Sequence, residues 1–196
     1  MSVKKIFKSR PYSFADFSYK FDRKYGVNSQ KDHYFNINYR DKFKDIDNDT
    51  NLGYTLYKTD KNVRNASEIN FNTSFSSRIE KEDTVIRPSL NLGSWYSNDE
   101  LSNQTDKIYE YSLGLGYEKP QKGFSADIRL GQNFLRKEVG DDSDKIFASL
   151  NCYYKTRIMK YDSTIFLRTA YNNYNFSTNS NDFREKSIML GINTAF

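Results

Sequence analysis

The sequence predicts an all-β chain: an antiparallel up-and-down transmembrane β-barrel of about ten strands, either complete or a portion of a larger barrel. Three observations carry this. Apolar and polar residues alternate at period two in one stretch after another. Each stretch runs to about ten residues, the length of a tilted membrane-spanning strand, where soluble strands are usually about five or six. The segments between them alternate between short and long, as expected when the turns on one side of a membrane are tight and the loops on the other are extended.

Composition narrows the class further. The 196 residues suffice for one domain over residues 1–196, with 1–11 as a lead-in. A mean hydropathy of -0.85 excludes a helical membrane protein. Aromatic residues nevertheless make up 16%, with 16 Tyr and 15 Phe against one Trp, which suits strands that expose rings on one face. Only 3 prolines occur, as long ladders require, because each removes a ladder donor. Cys152 and His33 are each the single residue of their type, so an internal disulfide and multi-histidine or cysteine metal sites are excluded, and no metal or cofactor is expected. The net charge of +5 is spread along the chain, so nucleic-acid binding is not implied. The start, M-S-V-K-K-I-F-K-S-R-P-Y, is positive but is not followed by the apolar run of about 7–15 residues that marks an export signal. An exported chain is then expected to be cut from a longer precursor or to be a gene fragment; otherwise the membrane reading fails.

The elements follow in order. Phe17, Tyr19 and Phe21 share one face of a first strand, and Gly26 and Asn28 sit in the loop after it. His33, Phe35, Ile37, Tyr39 and Phe43 define a second. Residues 44–51 read as a turn, followed by Leu52, Tyr54 and Leu56. Ile69, Phe71, Thr73, Phe75 and Ile79 then oppose Glu68, Asn70, Asn72, Ser74 and Arg78. Ile86, Leu90, Leu92 and Tyr96 alternate with Arg87, Ser89, Asn91 and Gly93, with Pro88 tolerable at an edge or bulge. Tyr109, Tyr111, Leu113, Leu115 and Tyr117 bracket aliphatics with rings, the pattern of an aromatic girdle around an apolar band. Pro120 to Gly123 is a compact turn before Phe124, Ala126, Ile128, Leu130 and Phe134. Ile146, Ala148, Leu150, Cys152 and Tyr154 follow an acidic loop, and Ile165, Leu167, Thr169 and Tyr171 follow the turn at 159–162. Residues 172–184 read as a long Asn/Ser loop.

The final stretch, E-K-S-I-M-L-G-I-N-T-A-F, places Ile188, Leu190, Ile192, Thr194 and Phe196 on one parity. It resembles the C-terminal β-signal of bacterial outer-membrane barrels, which the barrel-assembly machinery reads. The resemblance implies an outer-membrane location among lipid and lipopolysaccharide, with the final strand ending in the periplasm. An edge strand of a soluble sandwich is the plain alternative.

The opposite parity carries Glu68, Arg78, Arg87, Glu110, Asp127, Arg129, Lys155 and Arg168, together with Trp95, Phe147 and Tyr153. In a barrel these face the lumen. They form either a network of ion pairs filling it, since buried charges are normally paired, or a polar path whose charges select a solute. No G-x-S-x-G, phosphate-binding loop or metal spacing occurs, and His33 lies on the apolar parity, so no enzyme is expected.

The segment from Trp95 to Asn133 contains Y-S-L-G-L-G-Y-E-K-P-Q-K-G-F-S-A-D-I-R-L-G-Q-N. Its Gly114, Gly116, Tyr117, Pro120 and Gln121 resemble the C-terminal barrel of the cellulose-synthase-operon outer-membrane exporter family. That resemblance implies exopolysaccharide export, with periplasmic helical repeats preceding the barrel. The family's Gly-Gly-Tyr-Phe-Ser-Pro form is degraded here to G-L-G-Y-E-K-P, and no helical repeats occur in this chain. The expected function is therefore an outer-membrane barrel with a porin-like or polysaccharide-export channel. The alternatives are a small anchor or adhesin barrel with a filled lumen, and a soluble lipocalin-like binder whose apolar parity lines a cavity.

Overall fold

The computed structural model describes residues 2–6, 13–25, 29–59, 65–99 and 102–194. Its strands are β1 Ser2–Ile6, β2 Phe14–Lys24, β3 Gln30–Phe43, β4 Ile46–Thr59, β5 Ala66–Ser77, β6 Ile79–Lys81, β7 Thr84–Asp99, β8 Gln104–Lys119, β9 Phe124–Lys137, β10 Ser143–Ile158, β11 Tyr161–Phe176 and β12 Phe183–Thr194. They belong to one sheet whose path follows chain order, with β6 set off the path against β7. Among the described residues no helix is long and apolar enough to cross a membrane.

The architecture is the expected up-and-down antiparallel one, and the register explains why the alternation is so regular. Phe17 pairs with Ile37 and Tyr19 with Phe35 between β2 and β3, and Ile37 pairs with Leu52 and Phe35 with Tyr54 between β3 and β4. Between β11 and β12, Ile165 faces Ile192 and Leu167 faces Leu190. Because side chains alternate across a sheet, such pairing places the apolar sets of paired strands on one face, and a slip of one residue would mix the two.

That face is not a core. Leu113 is 62% exposed, Leu130 55% and Leu190 74%, whereas among the described residues the buried hydrophobics are only Ala66 and Val85. The fully buried side chains of any size are polar: Asp32, Ser13 and Ser112. This inverts the distribution of a water-soluble protein, in which contiguous exposed apolar surface is limited. Leu115, Tyr117 and Ile128 of this parity do line a cavity, but they share it with Arg87, Glu118, Asp127 and Arg129.

Four expectations are corrected. Residues 2–6, expected as lead-in, form β1 and pair with β2, Val3 opposite Phe17; five residues with two apolar positions are too short to show a period. The turn expected over 44–51 is only Lys44 and Asp45, with Lys44 at φ 54, and β4 starts at Ile46. The connection between β3 and β4 is thus two residues long, against six between β4 and β5. The loop expected over 172–184 shrinks because β11 continues to Phe176 and β12 begins at Phe183. The strand of Ile69 to Ile79 is broken at Arg78, beyond which β6 pairs with β7, Ile79 opposite Ile86.

The extra strand length has one physical cause. A strand of 16 residues such as β10 is about 50 Å long, and at a tilt near 40° it rises about 40 Å, beyond an apolar band about 25 Å tall. Strand ends that project past such a band would meet water on both faces, where alternation is not required for the hydrogen-bond ladder to continue. At the tip of the last hairpin, Tyr174 stacks on Phe183 at 4.4 Å between ring centres, with Phe176 at 6.0 Å from the same ring.

Two compact units are distinguished within the chain. The first comprises Met1–Phe75, Asn91–Glu110 and Phe134–Ser143; the second comprises Ser76–Leu90, Tyr111–Asn133 and Asp144–Phe196.

Candidate functional site

The candidate site is the polar face, formed because every second residue of each strand is charged, amidated, hydroxylated or glycine. In the first unit this face is knit by short side chains. The Asn51 amide donates to Asn36 Oδ1 at 2.7 Å and to Asn38 Oδ1 at 2.6 Å, while Asn48 donates to Thr73 Oγ1 at 3.0 Å and Thr50 meets Thr73 at 2.8 Å. An added Cβ at Gly53 would lie 2.6 Å from Asn70 Oδ1, so the glycine makes room for the neighbouring amide.

Towards the loop-side ends of β3, β4 and β5 the same unit holds a fully buried carboxylate. Asp32 accepts from Gln30 Nε2 at 2.7 Å and from the Tyr34 hydroxyl at 3.4 Å, with Lys24 Nζ at 3.5 Å. A buried carboxylate is stable only with such partners. The Tyr57 hydroxyl donates to Glu68 at 3.3 Å, and Gln30, Tyr57, Thr59, Ala66 and Glu68 line a 270 Å³ cavity.

In the second unit the polar face is cationic and aromatic. Arg129 donates through Nε to Ser112 Oγ at 2.9 Å, and its guanidinium lies 5.5 Å from the Phe147 ring centre. Lys145 lies 5.7 Å from Phe147 and 5.2 Å from Tyr174. Arg168 lies 5.0 Å from Phe166 and 5.6 Å from Tyr153. All are within the range of cation–π attraction. Arg87, Ser89, Ser125, Asp127, Arg129 and Tyr153 are among the residues lining a 360 Å³ cavity.

The nominated residues are distributed as follows. Glu68 lies in the acidic and tyrosine cavity of the first unit, and Glu110 lies half-buried beside Gly93. Arg78 pairs with Glu80 at 2.5 Å at the break between β5 and β6, and Arg87 pairs with Glu118 at 2.6 Å. Arg87, Asp127 and Arg129 meet around one cavity, Lys155 lines the adjoining cavity with Glu118 and Ser125, and Arg168 sits on its two rings. Ile188, Leu190 and Ile192 are on the exposed apolar parity of β12; Phe196 lies outside the described residues, as do Gly26 and Asn28. His33 is half-buried between Phe21 and Tyr19, its Nδ1 2.9 Å from the Tyr19 hydroxyl.

Sequence reasoning missed Asp32, Lys145, Phe166 and Tyr174. Tyr174 fell within the segment read as a loop and Lys145 beside the acidic one, and Phe166 is hidden in the apolar run Ile165, Phe166, Leu167. Strict parity counted from Arg168 would have found Phe166 and Tyr174, since even positions of β11 face the polar side.

No family model and no curated protein matches the chain. Solved structures do share its fold. OmpT, an outer-membrane protein of Vibrio cholerae folded in vitro, superposes with a TM-score of 0.59 at 11% identity, covering 98% of this chain and 61% of that one. Its trimer form gives 0.55 at 10% identity over 92% of this chain and 76% of that one. A variant of OmpT lacking loop L8 gives 0.55 at 10% identity, over 92% and 75%. This chain thus spans 61% to 76% of the length of those structures. The shared feature is the fold: this chain has the architecture of a bacterial outer-membrane β-barrel, and its exposed apolar parity is the surface that this architecture presents to outer-membrane lipid.

Proposed function

We propose that the chain forms a porin-like, non-catalytic channel wall of the outer membrane, along whose polar face hydrophilic solutes pass. The observation that carries this is the exposure of charged side chains on the face opposite the lipid-facing one. Arg87, Asp127, Arg129, Lys155 and Arg168 are all exposed, in a unit whose apolar residues already point outward. Charges that fill an interior each require a partner, whereas among the described residues Asp127, Lys155 and Arg168 have no ion pair and Arg87 has Glu118. Exposed charge on a face away from lipid is instead what a water-filled path needs.

The narrower reading, export of an exopolysaccharide, is supported by the resemblance carried by Gly114, Gly116, Tyr117, Pro120 and Gln121, and by aromatic rings on the polar face such as Tyr153 and Phe147. Recognition of Ile188, Leu190, Ile192 and Phe196 by the barrel-assembly machinery belongs to the same proposal. The anchor or adhesin reading is favoured by a different observation, the close hydrogen bonding of Asn36, Asn38, Asn51, Thr50 and Thr73 in the first unit.

The test is ion conductance after refolding from urea into detergent and insertion into planar bilayers. Discrete, reproducible conductance steps are expected. A protein that shows heat-modifiable migration, and so is folded, yet conducts nothing is a plugged anchor and overturns the channel reading.

A further inference from the structure

We propose that the polar face of the second unit is a built binding strip for anionic solutes, in which Arg168 and Lys145 present their charges from aromatic platforms. This deepens the channel reading, on which the solute's passage rests, while the binding itself is measurable without it.

The platforms come first. Gly131 and Gly191 lie on the polar parity of β9 and β12, and a Cβ added at either would overlap the Cζ of Phe147 and of Phe166 respectively. The tip of each ring therefore occupies the space that a side chain at its glycine would take. An aromatic ring has a negative face, and a cation over it is attracted there. Phe166 carries Arg168, and Phe147 carries both Arg129 and Lys145.

The cations are then held in place without being neutralised. Among the described residues the contacts of Arg168 are with Phe166 and Tyr153, and those of Lys145 with Phe147 and Tyr174; no carboxylate reaches either. An ion-paired arginine such as Arg87 must give up Glu118 before it takes a ligand. Arg168 and Lys145 have no such partner to lose, and much of their rotamer freedom is already spent on the rings. The guanidinium fork of Arg168 offers paired N–H donors suited to a carboxylate or a phosphate.

Shared rings join these charges into a strip. Tyr153 is a wall of the 360 Å³ cavity with Arg87 and Arg129, and it is also one platform of Arg168. Phe147 links Arg129 to Lys145 in the same way. Of the carboxylates on this face, Glu118 is held by Arg87, Asp162 lies 3.4 Å from Arg157, Glu185 accepts from Asn172 at 3.3 Å, and Asp127 stands in the cavity itself. Arg168 and Lys145 stand outside these pairs, and their charge is carried on rings.

The experiment is titration calorimetry of the refolded protein in a zwitterionic detergent, with tripolyphosphate, tetraglutamate and, as a neutral control, maltotetraose. Saturable binding of at least one anion but not of the neutral sugar is expected; tripolyphosphate alone identifies a phosphate site, tetraglutamate alone a carboxylate site, and both the shared chemistry. In the double variant Arg168→Gln with Lys145→Gln the affinity should fall about tenfold or more, the loss expected for charge-assisted hydrogen bonds. Arg168→Lys, which keeps the charge, should retain most of it and guards against a misfolded variant. Absence of binding of either anion, or unchanged affinity in a folded double variant, overturns the proposal. In bilayers, conductance that lacks anion preference in a salt gradient counts against the strip, whereas absence of conductance with intact anion binding counts only against the channel.

Discussion

The Phe166 ring occupies the space that a side chain at residue 191 would need. Gly191 and Phe166 are register partners between β11 and β12, so the ring lies over the glycine directly opposite it. The pairing ties a glycine in the last strand to the posture of an aromatic ring and, through it, to Arg168. Replacing Gly191 with Val is expected to force the ring out of place at a cost of about 1–3 kcal/mol, as for other overpacked sites. Urea unfolding in detergent micelles measures it. In combination with Phe166→Ala the penalty should largely vanish, and a double-mutant cycle should return a coupling of about 0.5–3 kcal/mol.

The exposed apolar parity makes a second prediction. Leu113 is 62% exposed in the middle of β8. In a water-soluble protein, Leu113→Lys at such a position would change stability by within about 0.5 kcal/mol. Facing the hydrocarbon core it should cost about 2–4 kcal/mol for folding into lipid vesicles. The measurement is the folding equilibrium in vesicles followed by the change in gel mobility on heating.

The tight turn between β10 and β11 is strained. Met159 has φ 52 and Lys160 has φ 88, both in the left-handed region, where a side chain meets the backbone. Lys160→Gly removes that clash and is expected to stabilise the protein by about 0.5–1 kcal/mol, read as a higher urea midpoint; Lys160→Val should lower the midpoint.

The buried carboxylate of the first unit predicts an asymmetric pair of variants. Asp32→Ala leaves the Gln30 amide and the Tyr34 hydroxyl without their acceptor and is expected to cost about 1–3 kcal/mol. Asp32→Asn keeps an acceptor oxygen for Gln30 and should cost less. Both are compared by urea unfolding in the same detergent.

Much of the architecture was legible because one physical requirement writes itself into every strand. A sheet with lipid on one face and polar surroundings on the other must alternate, and Phe35, Ile37, Leu113 and Leu190 state the lipid side without reference to anything distant. The strand ends were less legible. Asn172, Asn173 and Asn175 look like loop because both faces of a strand beyond the apolar band meet water, so pattern no longer distinguishes ladder from loop. The two-residue turn at Lys44 and Asp45 was hidden for the same reason: the polar run Asp47, Asn48 and Asp49 belongs to β4 although its composition suggests a turn.

The candidate site divides along similar lines. The parity of Arg87, Asp127, Arg129, Lys155 and Arg168 was readable, because alternation alone assigns a residue to a face. Their partners were not. That Arg87 meets Glu118, that Arg129 reaches Ser112, and that Phe147 and Tyr153 serve as platforms depends on which residues of adjacent strands come opposite one another.

By itself the sequence determined the fold class, the face of each strand and the side on which lipid lies, since these follow from local periodicity and strand length. Only the tertiary structure decided which cations are neutralised and which stand alone on aromatic rings. Register sets cross-strand neighbours several ångströms apart that are distant in the chain. It is the space left by Gly131 and Gly191 on neighbouring strands that admits the rings of Phe147 and Phe166, over which the cations sit.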